Sequence, residues 1–206
     1  MSKIIVAGAG MVGSAMAIDL AINHRVTLID ISIKRLETVK EKCQSLSILK
    51  LDVTDKQMLQ VALLPYDLAI CPVPGYLGFT TLKTIIECGR NVVDISFFSE
   101  NSADLDHLAK EIGVAAIVDC GVAPFSPIDV IEEYTRLARY VENGKLIVRE
   151  PLTDCEFVEF DRVGTLESFN SVGLRSIIFT MPHIPDMKEK NLWFPATLNN
   201  LALVVN

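Results

Sequence analysis

The 206-residue sequence is short of positive charge, of paired cysteines and of clustered histidines, and each shortage removes a class of function. Nineteen basic against 26 acidic side chains leave a formal charge of −7, the wrong sign for tracking a phosphate backbone, so no nucleic-acid partner is expected. Neither sign is gathered into an arm or tail, since residues 1–123 carry −3 and residues 124–206 carry −4. Cys43, Cys71, Cys88, Cys120 and Cys155 are odd in number and contain no Cys-x-x-Cys pair. That pattern reads as reduced thiols in a cytoplasmic protein, not as a disulfide frame. His24, His107 and His183 stand apart, without the spacing of a zinc site, and no metal is expected. No uncharged apolar run reaches the roughly 20 residues a bilayer demands, so no membrane span is expected. The opening Met1–Val6 has one basic residue, but Gly8, Gly10 and Asp19 spoil it as a secretory signal.

What remains is an ordinary globular balance, 50% hydrophobic and 22% charged. Two periodicities alternate over the first 120 residues. Short β-branched runs occur at Lys3–Val6, Val26–Ile29, Ser47–Leu51, Leu68–Cys71, Asn91–Ile95 and Val114–Val118. Helical spacing fills the gaps, at Met11–Ile22, Lys34–Cys43, Lys56–Leu64, Leu77–Cys88 and Ala103–Ile112. Continuously apolar strands are buried on both faces, as in a parallel sheet between helix layers. Six such strands interleaved with five helices predict a Rossmann-type, doubly wound α/β domain over residues 1–123.

After Pro124 the pattern changes. Ser126-Pro127-Ile128-Asp129 reads as a serine cap, a first-turn proline and an acid opening a helix to about Arg136. Asn143-Gly144 between Arg139–Glu142 and Lys145–Arg149 predicts a hairpin with a type I′ turn. A second helix is expected over Leu174–Met181, stopped by Pro182. Residues 124–206 are thus expected to form a partial α+β substrate or dimerisation domain.

Gly8-Ala9-Gly10-Met11-Val12-Gly13 follows the first strand and opens the first helix. Gly8 permits the tight turn, Gly10 lets backbone approach a pyrophosphate, and Gly13 lets the helix lie close on the sheet. Amides at the start of that helix then bind phosphate. The second strand ends in Asp30, which would accept hydrogen bonds from an adenosine ribose and repel a 2′-phosphate, favouring NAD. Ser32, Lys34 and Arg35 just beyond it are the counter-signal that admits NADP. A methyltransferase shares the strand-ending acid, but its substrate has no pyrophosphate to require the third glycine. A short-chain dehydrogenase needs a Tyr-x-x-x-Lys pair, and none of the four tyrosines has a lysine four residues on. Asp52-Val53 at the end of the third strand is either an adenine clasp or a helix cap. Pro72-Val73-Pro74 at the end of the fourth would border the ribose and nicotinamide.

The chain resembles the saccharopine dehydrogenase family, most closely its lysine dehydrogenase branch. The resemblance is carried by Val6–Gly13, Leu51-Asp52-Val53-Thr54-Asp55, Pro74-Gly75-Tyr76-Leu77-Gly78-Phe79, Val93-Asp94-Ile95-Ser96-Phe97 and Asp119-Cys120-Gly121-Val122-Ala123-Pro124. It continues in Ser126–Arg136, Asn143-Gly144-Lys145 and Gly173-Leu174-Arg175-Ser176. Three departures accompany it. Ala123-Pro124 runs straight into Phe125-Ser126-Pro127, where the family inserts a further block; Val172 replaces an acid; and Ala196-Thr197 replaces a Gly-His. The chain therefore reads as internally shortened after Pro124 and cut short at its end.

The resemblance implies oxidation of an amino acid's C–N bond by NAD, with NADP possible, in a homodimer. Such chemistry needs a carbon held near the nicotinamide, a base for the amine and a cation for the carboxylate. Arg175 is the candidate for the carboxylate, or else a solvated helix arginine. Asp94 and Asp119, at the ends of the fifth and sixth strands, are the catalytic candidates, with Ser96 beside substrate; the plainer reading of both acids is turn-capping. Cofactor binding is expected to survive the shortening, with weak or absent turnover. The alternative is a non-catalytic dinucleotide-binding remnant.

Overall fold

A computed structural model describes residues 1–121 and 134–195. The chain divides into two compact units, Met1–Ala123 and Pro124–Asn206. In the first, strands β1 (Lys3–Ala7), β2 (Arg25–Asp30), β3 (Ser47–Lys50), β4 (Leu68–Cys71), β5 (Asn91–Asp94) and β6 (Ala116–Ile117) form one sheet. Its order is β3-β2-β1-β4-β5-β6 and every pairing is parallel. This is the Rossmann order, with its reversal between β1 and β4.

Alternate residues of the central strands feed two separate cores. Ile4, Val6, Val26 and Leu28 pack with Ala17 of α1 (Met11–Leu20) and with Leu36 and Val39 of α2 (Ile33–Lys42). Ile5, Ala7 and Ile29 pack on the other face with Leu59 and Leu63 of α3 (Lys56–Leu63) and Leu82, Ile85 and Ile86 of α4 (Gly75–Glu87). Both faces are apolar because both are covered, which is why the strands lack a polar alternation. Local chemistry sets the helix ends. Ser32 caps α2 through the Arg35 amide at 3.4 Å, Lys40 and Lys42 occupy its last turn, and Asp55 caps α3 through the Met58 amide at 3.0 Å.

The helix expected at Ala103–Ile112 is instead a 3-10 turn, Ser102–Leu105, running into α5 (Asp106–Ile112). Asn101 accounts for the tightened start by accepting the Ala103 amide at 3.1 Å. Gly113, at φ +78°, ends α5 in the left-handed conformation glycine favours.

In the second unit β7 (Ala138–Glu142) and β8 (Lys145–Arg149) make the expected hairpin. Asn143 at φ +49° and Gly144 at φ +72° supply the two positive angles of a type I′ turn. Three further strands, β9 (Glu156–Phe160), β10 (Gly164–Asn170) and β11 (Lys190–Trp193), form an antiparallel sheet in the order β11-β10-β9. Tyr134 packs on Phe169 at 5.7 Å between ring centroids, and its hydroxyl accepts the Trp193 indole N–H at 3.1 Å. Helix α6 covers only Ile177–Thr180, four residues where eight were expected. The helix expected from Ser126, and the junction at Pro124–Phe125, fall on residues 122–133, outside the described residues. Among the described residues no helix is long and apolar enough to cross a membrane, and no cluster of three His, Cys, Asp or Glu side chains can hold a metal.

Candidate dinucleotide site

β1 ends beside β4 at the reversal of strand order, where open α/β sheets receive ligands. Gly8 follows at φ +127°, a conformation glycine adopts without the Cβ penalty, and its amide donates to the Ile29 carbonyl at 2.8 Å. Gly13 is fixed by packing. A Cβ placed on it would lie 2.0 Å from the Gly8 carbonyl oxygen and 3.0 Å from Pro72 Cγ. Gly10 differs from both: it caps α1 at φ −71°, and a Cβ placed on it would meet nothing within 4 Å. Open space therefore faces the uncovered amides of a helix start whose first turn carries no acid. That combination fits a pyrophosphate. Met11, 81% exposed, and half-buried Val12 flank it.

Asp30 ends β2 with its side chain turned inward, 8% exposed. Its Oδ2 accepts the Ala9 amide at 2.8 Å and its Oδ1 accepts the Ser32 amide at 2.7 Å. The Arg35 guanidinium, 64% exposed, stands 3.9 Å from Oδ2. The acid thus braces the glycine turn, and an accessible cation screens it on the outside.

Asp52 makes a local turn, in which its Oδ1 accepts the Thr54 amide at 2.9 Å and the Thr54 hydroxyl at 2.7 Å. Those bonds hold its carboxyl below the usual range, the hydroxyl contributing most. The helix cap is Asp55, not Asp52. Val53 packs against the core. At the end of β4, the Pro72 carbonyl lies 3.5 Å from where a Gly8 Cβ would sit, Val73 is buried, and Pro74 precedes α4. Pro72 therefore borders the glycine turn directly.

Asp94 and Ser96 form a closed unit at the end of β5. Asp94 has no exposed surface and Ser96 is 5% exposed. The Ser96 amide donates to Asp94 Oδ1 at 2.8 Å and its hydroxyl to the same oxygen at 2.5 Å. Cys71, in register with Asp94 on β4, adds a thiol hydrogen bond to the carboxylate. Burial and then the Asp94 charge push that thiol's pKa well up. Asp94 is thus buried, with Oδ1 committed to Ser96. Cys120 ties the loop after β6 to the same place, its thiol donating to the Asp94 carbonyl at 3.3 Å, and burial raises its pKa. Asp119, beside it, is half-buried and held at φ +54°.

Arg175 lies in the second unit, on a turn ahead of α6 and not on the helix expected there, with its amide donating to the Gly173 carbonyl at 2.9 Å. Three contacts around Asp94 and Ser96 went unanticipated in the sequence. Cys71 reads there as a buried apolar residue, and only strand register sets it beside Asp94. Gly75 and Gly78 of α4 read as parts of a family motif, yet a Cβ on them would lie 2.2 Å from the Phe97 carbonyl and 2.1 Å from Ser96 Oγ.

Comparison with known proteins agrees with this geometry. The chain is 30% identical over 76 residues to the saccharopine dehydrogenase [NADP(+), L-glutamate-forming] of Pyricularia oryzae (strain 70-15). That stretch is 37% of this chain and 17% of the relative. Apo saccharopine dehydrogenase (L-Glu forming) from Saccharomyces cerevisiae shares the fold with a TM-score of 0.72 at 18% identity. The match covers 99% of this chain and 58% of that one, so the chain spans little more than half of the solved relative. The family profile described as the saccharopine dehydrogenase NADP binding domain matches residues 4–117. The chain belongs to that family, whose domain takes a nicotinamide dinucleotide.

Proposed function

We propose that this chain binds NADP(H) at the Gly8–Gly13 turn and serves oxidation of the C–N bond of a small amino acid. The observation that carries the reading is the open space at Gly10, set against the start of α1 at the reversal of the sheet. NADP is favoured over the NAD expected from the sequence because that expectation needs Asp30 facing outward. Its carboxylate faces Ala9 and Ser32 instead, leaving Arg35 as the exposed charge where a 2′-phosphate would lie.

Bound there, the nicotinamide would accept a hydride; the rest falls to the chain. Gly8, Gly10 and Gly13 admit the pyrophosphate, while Asp30 keeps the Ala9 amide in place. Asp119 would hold the substrate amine and take its proton, and Asp94 would fix Ser96 and, through its carbonyl, Cys120. With its pKa raised, Cys120 is protonated at neutral pH and acts as a donor, not as a nucleophile.

Calorimetric titration of the protein with NADPH and NADH tests the cofactor assignment, with tighter NADPH binding expected. Reduced nicotinamide formed from NADP⁺ with lysine or saccharopine in excess then tests the reaction. Binding without turnover would favour the non-catalytic reading, and absence of both would remove the assignment.

A further inference from the structure

A cavity lies at the end of the Rossmann sheet where the strands begin, opposite the glycine turn. Its volume is about 410 Å³, within the range of small-molecule sites. Lys3, His24, Arg25, Thr27, Ser47 and Tyr66 are among its lining residues, and no acidic side chain lines it. Lys3 and Gly8 stand five positions apart along β1, which puts roughly 16 Å between this cavity and the glycine turn.

The sheet register explains the concentration of charge. Lys3 on β1 is the in-register partner of Arg25 on β2, and Thr27 on β2 is the partner of Ser47 on β3. Strand residues two apart share a face, so two cations and two hydroxyls lie on one patch of sheet. In-register like charges repel. Among the described residues no carboxylate forms an ion pair with either cation, and the nearby Asp67 carboxylate accepts the backbone amide of Lys3 at 2.8 Å. His24 adds a buried Nδ1 with no hydrogen-bond partner. The rest of the wall is less polar, with Ala21, Val26, Pro65 and the ring of Tyr66.

We propose that this cavity binds a phosphomonoester of a small organic molecule. Lys3 and Arg25 would take the phosphate, Thr27 and Ser47 would donate hydroxyl hydrogen bonds to it, and the apolar wall would receive the organic part. A dianion between Lys3 and Arg25 removes their mutual repulsion, and an Arg–phosphate contact is strong and directional. The site is independent of the cofactor assignment, because it shares no residue with the glycine turn.

The test is a titration of the full chain with glycerol phosphate, and separately with inorganic phosphate, at constant ionic strength. Amide chemical shifts provide the readout. Glycerol phosphate should shift Arg25, Thr27 and Ser47 saturably and raise the melting temperature, and inorganic phosphate should do so more weakly. The double variant Lys3→Gln, Arg25→Gln should bind roughly ten-fold or more weakly, with NADPH binding and the ligand-free melting temperature unchanged or higher. Shifts confined to Ala9–Gly13 would overturn the proposal, as would equal binding by the double variant. Equal affinity for the two phosphates would overturn the organic part of the assignment.

Discussion

The carboxylate of Asp30 accepts the amide of Ala9 at 2.8 Å across 21 positions of sequence, joining the end of β2 to the middle of the glycine turn. Its other oxygen takes the Ser32 amide, so two backbone donors depend on one side chain. Asp30→Ala would strand both in a largely buried place. The expected cost is about 2–4 kcal/mol in urea unfolding, since bonds to charged groups are worth more than neutral ones. Asp30→Asn, which keeps one acceptor oxygen, should fall between. A loss below about 0.5 kcal/mol for the alanine variant would mean that water replaces the carboxylate there.

Gly10 and Gly13 make a matched pair of opposite expectation. Replacing a helical glycine by alanine normally stabilises by about 0.5–1 kcal/mol. At Gly13 the sign should reverse, because the new Cβ would enter the Gly8 carbonyl at 2.0 Å; a loss of about 1–3 kcal/mol is expected. In Gly10→Val the new Cβ meets no protein atom within 4 Å and φ is ordinary, so the variant should fold while losing NADPH affinity in calorimetry. Retained affinity in Gly10→Val would show that the open space is not where the pyrophosphate lies.

Cys71 links the site to alkaline pH. Its folded pKa is raised by burial and by the Asp94 charge, so the folded state keeps the proton after the unfolded chain has lost it. Stability from this group is therefore full below the ordinary thiol value and declines as pH rises through it. One such group contributes a slope of up to about 1.4 kcal/mol per pH unit. Urea midpoints measured over the alkaline range should fall more steeply for the parent than for Cys71→Ala. Parallel slopes would show that neither burial nor Asp94 holds the proton on this thiol.

These relationships also mark how far residue patterns carry. The apolar strands and the Gly8–Gly13 turn are visible in the sequence because both follow from local rules, burial on two faces and backbone freedom. The Asn143-Gly144 hairpin is visible for the same reason. Strands β9 and β10 are not, because Glu156, Glu159 and Glu167 interrupt them and their turn, Asp161–Val163, carries its positive φ on Arg162 instead of an Asn-Gly pair. The inward turn of Asp30 and the Cys71–Asp94 pairing depend on strand register, which no local pattern encodes. The same holds for Lys3 beside Arg25, two unremarkable cations in the sequence and one cationic patch in the sheet.

Asp119 offers a way to separate charge from conformation at the proposed catalytic edge. It sits at φ +54°, a region that aspartate and asparagine tolerate better than other residues with a Cβ. Asp119→Asn should keep that backbone and cost no more than about 0.5 kcal/mol, whereas Asp119→Ala should cost about 1 kcal/mol or more from strain alone. If the carboxylate takes the substrate's proton, both variants lose turnover by roughly 100-fold or more while NADPH binding is kept, because general-base catalysis is removed and the cofactor site is not touched. If Asp119 only shapes the loop, turnover follows stability, and asparagine behaves like the parent. Steady-state rates with lysine or saccharopine, read beside urea midpoints for the same three proteins, distinguish the two. A fully active Asp119→Asn would remove Asp119 from the chemistry and leave it the task of turning the chain after β6.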